Sequence, residues 1–424
     1  RLSPAQRTAE RELRERVREE IRRLGLGPDE GERIFALIYD EVDAYQRRAA
    51  TTNLAPLDDQ EATARRLYDA LLGMGPLQPL MGDPDVEEIE VNAPNRIFVR
   101  LRDQRQLRVS ELAFDSDEEV TGLVKRLVGP VGGRFDESAA ILDAVLRDGS
   151  RLNAVMPPVA IDYTLVTIRK FLLKTYSLEQ LVENGTLPGN AAHFLEAAVQ
   201  AGVNFLISGQ TGSGKTTVLN ALASSIDPMC ERVVTVEDIP ELALTLPNCA
   251  RLQVRARNLE GTGQVTIREL VRNALRMRPT RIVVGEVRGG EALDMLQAMS
   301  TGHDGSLTTV HASSPREALD RLVTMAMMAQ ERPPREALVE MVASTIELVL
   351  QLGIEPRTGR RRLTHIFELA PLADGRLAGN DLWKPTSNGD VAWSGIPPRC
   401  LEKMAHRGIA YSLPSSPEVW RQYA

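Results

Sequence analysis

A glycine-rich loop lies between an apolar run and a helical stretch in NFLIS-GQTGSGKT-TVLNALASS, residues 204–225. Residues 209–216 match the pattern GxxxxGK(S/T) in full, and the order of strand, loop and helix is the context that this pattern requires. Glycine at three loop positions lets the backbone curl so that its N–H groups face an anion, and the positive end of the following helix adds to the attraction. The stretch therefore predicts a phosphate-binding loop.

The loop also supplies two side chains with a defined chemistry. Lys215 can reach the β- and γ-phosphates of ATP, and the hydroxyl of Thr216 can ligate Mg²⁺. ATP and Mg²⁺ are therefore the expected cofactors. The residues that we expect to bind them are Gly209, Gln210, Thr211, Gly212, Ser213, Gly214, Lys215, Thr216 and Thr217.

Two further apolar runs end in acidic residues. RIVVGE brings Glu286 to the end of a strand, and VVTVED brings Glu237 and Asp238 to the end of another. Ligands bind at the carboxyl ends of the strands in open α/β sheets, where Glu286 could orient or deprotonate an attacking water. Glu237 and Glu286 could also contact the metal through water. The structural alternatives are an exposed glutamate at a strand end and a helix cap at Asp238.

Two of the five histidines, His303 and His311, flank the strand-like run SLTTV. A zinc site is disfavoured because no cysteine or third ligand lies nearby in the sequence. We expect these histidines to form hydrogen bonds to the γ-phosphate or to Glu286.

Apolar runs alternate with helical stretches across residues 191–370, as in α/β domains with a parallel sheet. Runs such as VNFLIS, RVVTV and RIVVGE are almost continuously apolar, which indicates strands buried on both faces. The strands that we expect span residues 204–208, 232–237, 250–254, 281–286 and 306–310.

The remaining segments differ in pattern. Residues 1–73 carry apolar stripes at helical spacing, which predict either a small helical bundle or a module that docks on a partner. Residues 74–171 alternate strand-like segments with a helix and predict a small α+β domain. Residues 172–190 are predicted to be a linker, and residues 371–424 a C-terminal tail without a clear pattern.

Composition and charge narrow the classes of protein. A length of 424 residues suggests about two to four domains, and 43% hydrophobic with 26% charged residues is ordinary for a globular chain. A net charge of −7 and 4% aromatic residues argue against a general nucleic-acid-binding protein.

Three widely spaced cysteines favour reduced thiols in a cytosolic protein. No apolar run reaches the ~18–20 residues needed to span a bilayer, and the first 20 residues lack the apolar core of a signal peptide.

Four motifs together resemble a known family. GQTGSGKTT, VVTVEDIPEL, RIVVGEVRGGEALDML and STGHDGSLTTVHA are similar, in this order, to the Walker A motif, Asp box, Walker B motif and His box of type II and type IV secretion and pilus ATPases. GMGPLQPLMGDPDVEEIEVNAPNRIFVR and DGSRLNAVMPPVAIDYTLVTIRKF resemble the CpaF-like or TadA-like branch, which powers assembly of tight-adherence (Flp-type) pili. The resemblance covers residues 70–370.

The resemblance implies a RecA-like P-loop ATPase domain, preceded by a small PAS-like α+β domain and an N-terminal helical bundle. It also implies a cytoplasmic homo-hexamer that holds nucleotide between its N- and C-terminal domains. Such a hexamer would associate peripherally with the inner face of the cell membrane through inner-membrane platform proteins. No direct binding of nucleic acid is expected.

The resemblance also implies roles for individual residues. Glu286 would activate water. Glu237 and Asp238 match the Asp box, and His303 and His311 match the His box. Arg151 and Arg169 match arginines that contact the γ-phosphate, and Arg276 and Arg288 are weaker candidates. Since 45 of the 51 basic residues are arginines, residue type alone gives these assignments no support.

We therefore expect an ATP-hydrolysing motor that powers assembly, and by extension retraction, of a type IV or Flp pilus. An ATPase of another type II or type IV secretion system, or of a DNA-transfer system, is the nearest alternative. The acidic net charge disfavours a RecA-like DNA motor. A scaffold that binds ATP without turnover is disfavoured because Lys215, Thr216 and Glu286 are all present.

Overall fold

The computed structural model describes residues 3–27, 30–52, 54–101, 107–171, 177–255 and 262–414. The chain divides into two compact units, Arg1–Leu172 and Leu173–Ala424. Among the described residues, no helix combines the length and the apolar character needed to cross a membrane.

The first unit begins with three helices whose apolar stripes face one another. Ser3 caps the first helix in a reciprocal capping box with Gln6, and Asp59 caps the third. Leu13, Ile38 and Leu67, one from each helix, are buried in a common cluster, so the predicted stripes pack together as a bundle. The helices are α1 (Pro4–Leu24), α2 (Gly31–Ala49) and α3 (Gln60–Leu71).

The same unit continues into a six-stranded antiparallel sheet covered on one face by a helix. Alternate residues such as Ile89, Leu152 and Ile168 are buried against Val120 and Leu123 of that helix. The strand order is β3-β2-β1-β6-β5-β4. The elements are α4 (Gln78–Gly82), β1 (Val86–Ala93), β2 (Arg96–Leu101), β3 (Leu107–Val109), α5 (Asp117–Val128), β4 (Ile141–Val145), β5 (Arg151–Val155) and β6 (Leu165–Arg169), with 3₁₀ helices at Gly75–Leu77 and Gly129–Val131.

The second unit is a nine-stranded sheet between helices. Its helices are α6 (Leu178–Glu183), α7 (Gly189–Gln200), α8 (Lys215–Ala223), α9 (Ile267–Ala274), α10 (Glu291–Ser300), α11 (Pro315–Met327), α12 (Arg335–Thr345) and α13 (Leu401–His406), with a 3₁₀ helix at Leu275–Met277. Its strands are β7 (Phe205–Gly209), β8 (Val233–Glu237), β9 (Cys249–Gln253), β10 (Arg281–Val284), β11 (Leu307–Val310), β12 (Leu348–Ile354), β13 (Arg361–Ala373), β14 (Arg376–Pro385) and β15 (Val391–Trp393).

The strand order of this sheet is β15-β14-β13-β12-β7-β11-β10-β8-β9. The six strands from β12 to β9 are parallel, and β13 to β15 add an antiparallel meander beside β12. Strands β7, β8, β10 and β11 are buried along their whole length, which explains their unbroken apolar sequences. The predicted α/β fold with N-terminal helices is confirmed.

Segments predicted to be a linker and a tail contribute to this unit. Leu178 and Leu181 of α6 are buried in its core, while residues 172–176 of the predicted linker lie outside the described residues. The boundary predicted at residue 371 falls within β13, and Trp383 on β14 stacks on Phe194 of α7 with ring centroids 4.9 Å apart. The sheet therefore continues into the segment that carried no sequence pattern.

Candidate active site

The glycine-rich loop connects the end of β7 to the start of α8. Gly212 and Gly214 have φ angles of +75° and +91°, a region that residues with side chains rarely adopt. At Gly209 the limit is space, because a Cβ there would lie 2.8 Å from the carbonyl oxygen of Leu352. The N-terminal N–H groups of α8, which begins at Lys215, adjoin this loop. The other predicted nucleotide ligands in this stretch are Gln210, Thr211, Ser213, Thr216 and Thr217.

The ammonium of Lys215 is buried inside the loop. Its Nζ donates hydrogen bonds to the carbonyl oxygens of Gly209 and Gln210, at 3.0 and 3.1 Å. The same atom lies 3.5 Å from Nε2 of His311. Because the side chain is only 8% exposed, its positive charge is held at a fixed point within the loop.

Glu286 lies just beyond β10 and is held between two basic side chains. Its Oε1 is 2.9 Å from Nε2 of His311, which directly follows β11. Its Oε2 accepts hydrogen bonds from Nε and Nη2 of Arg288, at 2.9 and 2.5 Å. Arg288 also lies 3.7 Å from the carboxylate of Asp238. The ends of β7, β10 and β11 thus bring Lys215, His311 and Glu286 into one continuous set of contacts.

Burial, followed by the positive charge of Lys215, lowers the pKa of His311 below its usual value. The imidazole is therefore neutral at pH 7, and it does not add another positive charge beside the lysine. Among the residues that the structure describes, Oε1 of Glu286 has no hydrogen-bond partner, so His311 is a close neighbour of this carboxylate without donating a hydrogen bond to it in this conformation.

Glu237, at the end of β8, shapes the loop that follows it. Its Oε1 accepts hydrogen bonds from the backbone N–H groups of Glu241 and Leu242, both at 2.7 Å. Burial raises the pKa of this carboxyl group to about 7, although these two hydrogen bonds act in the opposite direction. The loop of residues 238–248 contains no helix, so the alternative reading of Asp238 as a helix cap is wrong.

Glu241 is a site residue that the sequence analysis did not single out. Its Oε2 accepts a hydrogen bond of 3.1 Å from the hydroxyl of Thr216, the predicted ligand of Mg²⁺. The available signal was its place within VVTVEDIPEL, four residues after Glu237. Glu237 therefore acts on Thr216 indirectly, by positioning the backbone of Glu241.

The side-chain oxygens of Thr216 and Glu241 are suitable ligands for Mg²⁺, which prefers hard oxygen ligands. Among the described residues, no group of three or more His, Cys, Asp or Glu side chains could hold a metal ion. Mg²⁺ in nucleotide sites takes most of its ligands from phosphate and water, so two protein oxygens are compatible with it.

Two predicted site residues lie elsewhere on the same sheet. The parallel strands end at what we call the carboxyl edge, where the loop and Glu286 lie, and begin at the opposite amino edge. His303 precedes β11, and its Nδ1 is 2.9 Å from the carbonyl oxygen of Ala298. Arg276 precedes β10 and donates a 3.0 Å hydrogen bond to the carbonyl oxygen of Arg272. His303 and Arg276 therefore lie at the amino edge of the sheet, whereas Glu286 lies at the carboxyl edge.

Arg151 and Arg169 lie in the first unit, directly opposite each other on β5 and β6. Both occupy the sheet face opposite the buried Leu152 and Ile168. Asp143 lies 3.1 Å from Arg151 and offsets part of the repulsion between two like charges at cross-strand positions. The two predicted phosphate-binding arginines, 18 positions apart in sequence, therefore form one pair.

Gln351 on β12 is a second residue that the sequence analysis missed. Its side-chain amide is buried, accepts a hydrogen bond from the hydroxyl of Ser208 and donates one of 3.2 Å to the carbonyl oxygen of Ala312. Ser208 precedes the glycine-rich loop, and Ala312 follows His311. Gln351 therefore fixes the spacing between these two parts of the site.

Comparisons with known proteins identify the family of this chain. A family model described as "Type II/IV secretion system protein" matches residues 70–358. A putative conjugal transfer protein of Mycobacterium tuberculosis (strain ATCC 25618 / H37Rv) is 38% identical over 335 residues, which cover 77% of this chain and 93% of that protein. The type IV secretion system protein VirB11 of Brucella suis biovar 1 is 32% identical over 341 residues, or 73% of this chain and 92% of that one.

A solved structure shows the same fold. The crystal structure of the pilus retraction motor PilT with bound ADP has a TM-score of 0.50 and 18% identity, covering 70% of this chain and 82% of that one. The broad resemblance inferred from the motifs is thus confirmed, and with it the expectation of a nucleotide-binding enzyme. The chain belongs to the type II/IV secretion system protein family and is an ATP hydrolase.

Proposed function

We propose that this chain is the motor ATPase of a tight-adherence (Flp-type) pilus, belonging to the CpaF-like or TadA-like branch of its family. The observation that carries the motor assignment is the contact of Lys215, His311 and Glu286 at the carboxyl edge of the second unit. The branch assignment is supported by the resemblance of residues 73–100 and 148–171 to such ATPases.

In the proposed reaction, Lys215 binds the β- and γ-phosphates of ATP. Thr216 and Glu241 would hold Mg²⁺, which would offset negative charge on the phosphate oxygens. A water molecule attacks the γ-phosphorus and passes its proton to Glu286, while the bond to the bridging oxygen of ADP breaks. His311 and Arg288 orient the Glu286 carboxylate, and Arg151 and Arg169 contact the γ-phosphate.

We further propose that the working form is a cytoplasmic homo-hexamer bound to inner-membrane platform proteins. ATP binding and hydrolysis would change the conformation of successive subunits, and these changes would drive pilin subunits into the pilus. Retraction by the same motor is part of this proposal. Mass measurement of the full chain with a non-hydrolysable ATP analogue tests the ring.

An ATPase of a DNA-transfer or other type IV secretion system is the second candidate. It is favoured by the putative conjugal transfer protein, which is 38% identical, and by VirB11. A deletion strain separates the two functions. Loss of surface pili, restored by the wild-type gene but not by Lys215→Ala, supports the pilus motor. Loss of DNA or protein transfer with pili intact contradicts it.

A further inference from the structure

The hairpin between β12 and β13 carries an unusual density of positive charge beside the glycine-rich loop. Residues 355–362 read EPRTGRRR, with four arginines and one glutamate. Strand β12 is parallel to β7, and Leu352 pairs with Gly209 at the start of the loop. The hairpin therefore emerges at the carboxyl edge, next to the loop.

Arg361 is the member of this group that faces the loop. Side chains two positions apart on a strand share a face, and Leu363 is buried with Val218 and Leu219 of α8. A methyl group at Gly214 would lie 3.6 Å from Cδ of Arg361, so the stem of this half-buried arginine passes over the last glycine of the loop.

The other three arginines belong to a different neighbourhood. A hydrogen bond from Thr358, together with the charges of Arg362, Arg357 and Arg360, holds the pKa of Glu355 below its usual value. Arg362 pairs with Gly353 and, one position beyond Arg361, points to the opposite face of the strand. The positive charge of Arg362 therefore acts on Glu355 within the hairpin, whereas Arg361 lies beside the glycine-rich loop.

We propose that Arg361 is a further nucleotide-binding residue, whose guanidinium contacts the diphosphate common to ADP and ATP. This inference rests on the proposed role of the glycine-rich loop. Lys215 presents its charge from inside the loop, while Arg361 approaches from outside, over Gly214 at the N-terminal end of α8. A planar guanidinium can donate two parallel hydrogen bonds to a phosphate, which suits this flanking position.

The test compares Arg361→Gln with Arg362→Gln in the full chain, since both remove one positive charge from neighbouring positions of the same strand. Isothermal titration with Mg-ADP and with a non-hydrolysable Mg-ATP analogue should show Kd values about tenfold weaker for Arg361→Gln with both ligands. Arg362→Gln should stay within about twofold of wild type. Inorganic pyrophosphate, measured by displacement of a fluorescent ADP, should also bind Arg361→Gln about tenfold more weakly.

The results that overturn the inference are distinct. Equal Kd values for the two variants remove Arg361 from the site. Unchanged pyrophosphate binding assigns the contact to the base or ribose, and weakening of the ATP analogue alone assigns it to the γ-phosphate. Thermal unfolding without nucleotide confirms that both variants are folded. If Lys215→Ala binds ADP as wild type does, the assignment of the loop as the nucleotide site is wrong. If Lys215→Ala weakens binding but Arg361→Gln behaves as wild type, the assignment of the loop holds and the proposed role of Arg361 is wrong.

Discussion

Strand β11 has a histidine near each end, and the two histidines have different surroundings. His311 follows the strand at the carboxyl edge and contacts Lys215 and Glu286. His303 precedes the strand at the amino edge and contacts the backbone of Ala298. At the carboxyl edge, His311 thus joins ionisable side chains around the glycine-rich loop, whereas His303 at the amino edge contacts the backbone of a neighbouring loop.

Asn204, at the amino edge, illustrates this second arrangement. Its Oδ1 accepts hydrogen bonds from the backbone N–H groups of Gly305 and Ser306, at 2.9 and 3.0 Å. Its Nδ2 donates a 3.0 Å hydrogen bond to the carbonyl oxygen of Thr345. These contacts fix loops, so changes at the amino edge should affect stability, and changes at the carboxyl edge should affect turnover.

The largest expected effect concerns Glu286. Glu286→Gln keeps the size of the side chain but removes its basicity, so steady-state ATP hydrolysis should fall by roughly 10²- to 10⁴-fold. ATP binding, measured by titration, should be retained. Glu336→Gln, on the exposed surface of α12, is the matched control. Hydrolysis by Glu286→Gln at the wild-type rate would remove Glu286 as the base.

Arg281 provides the opposite test at the amino edge. It is 1% exposed and donates hydrogen bonds to the carbonyl oxygen of Val199 and to Glu231, at 2.7 and 2.9 Å. Arg281→Met leaves both acceptors without this donor and should lower the free energy of unfolding by about 3 kcal/mol. Denaturant titration measures the loss, with the exposed Arg335→Met as control. Turnover per folded molecule should stay close to wild type. A large fall in turnover would contradict the expectation that changes at the amino edge affect stability alone.

Glu237 should make stability depend on pH. Its pKa is raised to about 7 in the folded protein, whereas an unfolded glutamate titrates near 4.5. Between these values the folded state holds a proton that the unfolded state has lost, so stability decreases as pH rises and levels off above about pH 7. The loss should be about 3 kcal/mol. Urea unfolding at several pH values gives the free energy of unfolding as a function of pH. This free energy should depend less steeply on pH for Glu237→Gln than for wild type, and an equal dependence would contradict the assignment.

The smallest effect compares the two histidines directly. His311→Asn removes the contact with Glu286 and should lower ATP turnover roughly tenfold. His303→Asn should leave turnover within about twofold and lower the free energy of unfolding by about 1 kcal/mol. Both variants can be assayed for turnover and thermal unfolding under identical conditions. Equal losses of turnover would show that His303 also serves the reaction.

The glycine-rich loop and the acidic strand ends could be predicted because their pattern is local. Apolar runs buried on both faces mark the strands, and their direction brings Glu237 and Glu286 to one edge. The same argument separates the two histidines, because His311 follows β11 and His303 precedes it, although the sequence analysis gave both the same expected contacts.

Other parts of the site depend on contacts between distant positions. Gln351 and Ser208 are 143 residues apart in sequence, and a single glutamine in the apolar run LVLQLGI gives no indication of its partner. Arg361 is one of 45 arginines, so only its place over Gly214 distinguishes it. The strands beyond residue 371 were not predicted because β14 alternates poorly, with few buried positions.

The antiparallel meander has a practical consequence for shortened versions of this protein. Strand β12 borders the glycine-rich strand β7 on one side and pairs with β13 on the other. A chain cut at residue 370 would end within β13 and would lack its partner β14 and the adjoining β15, leaving the stacked face of Phe194 uncovered. An unpaired strand of this kind is a template for pairing with another molecule, so such a fragment should self-associate into aggregates.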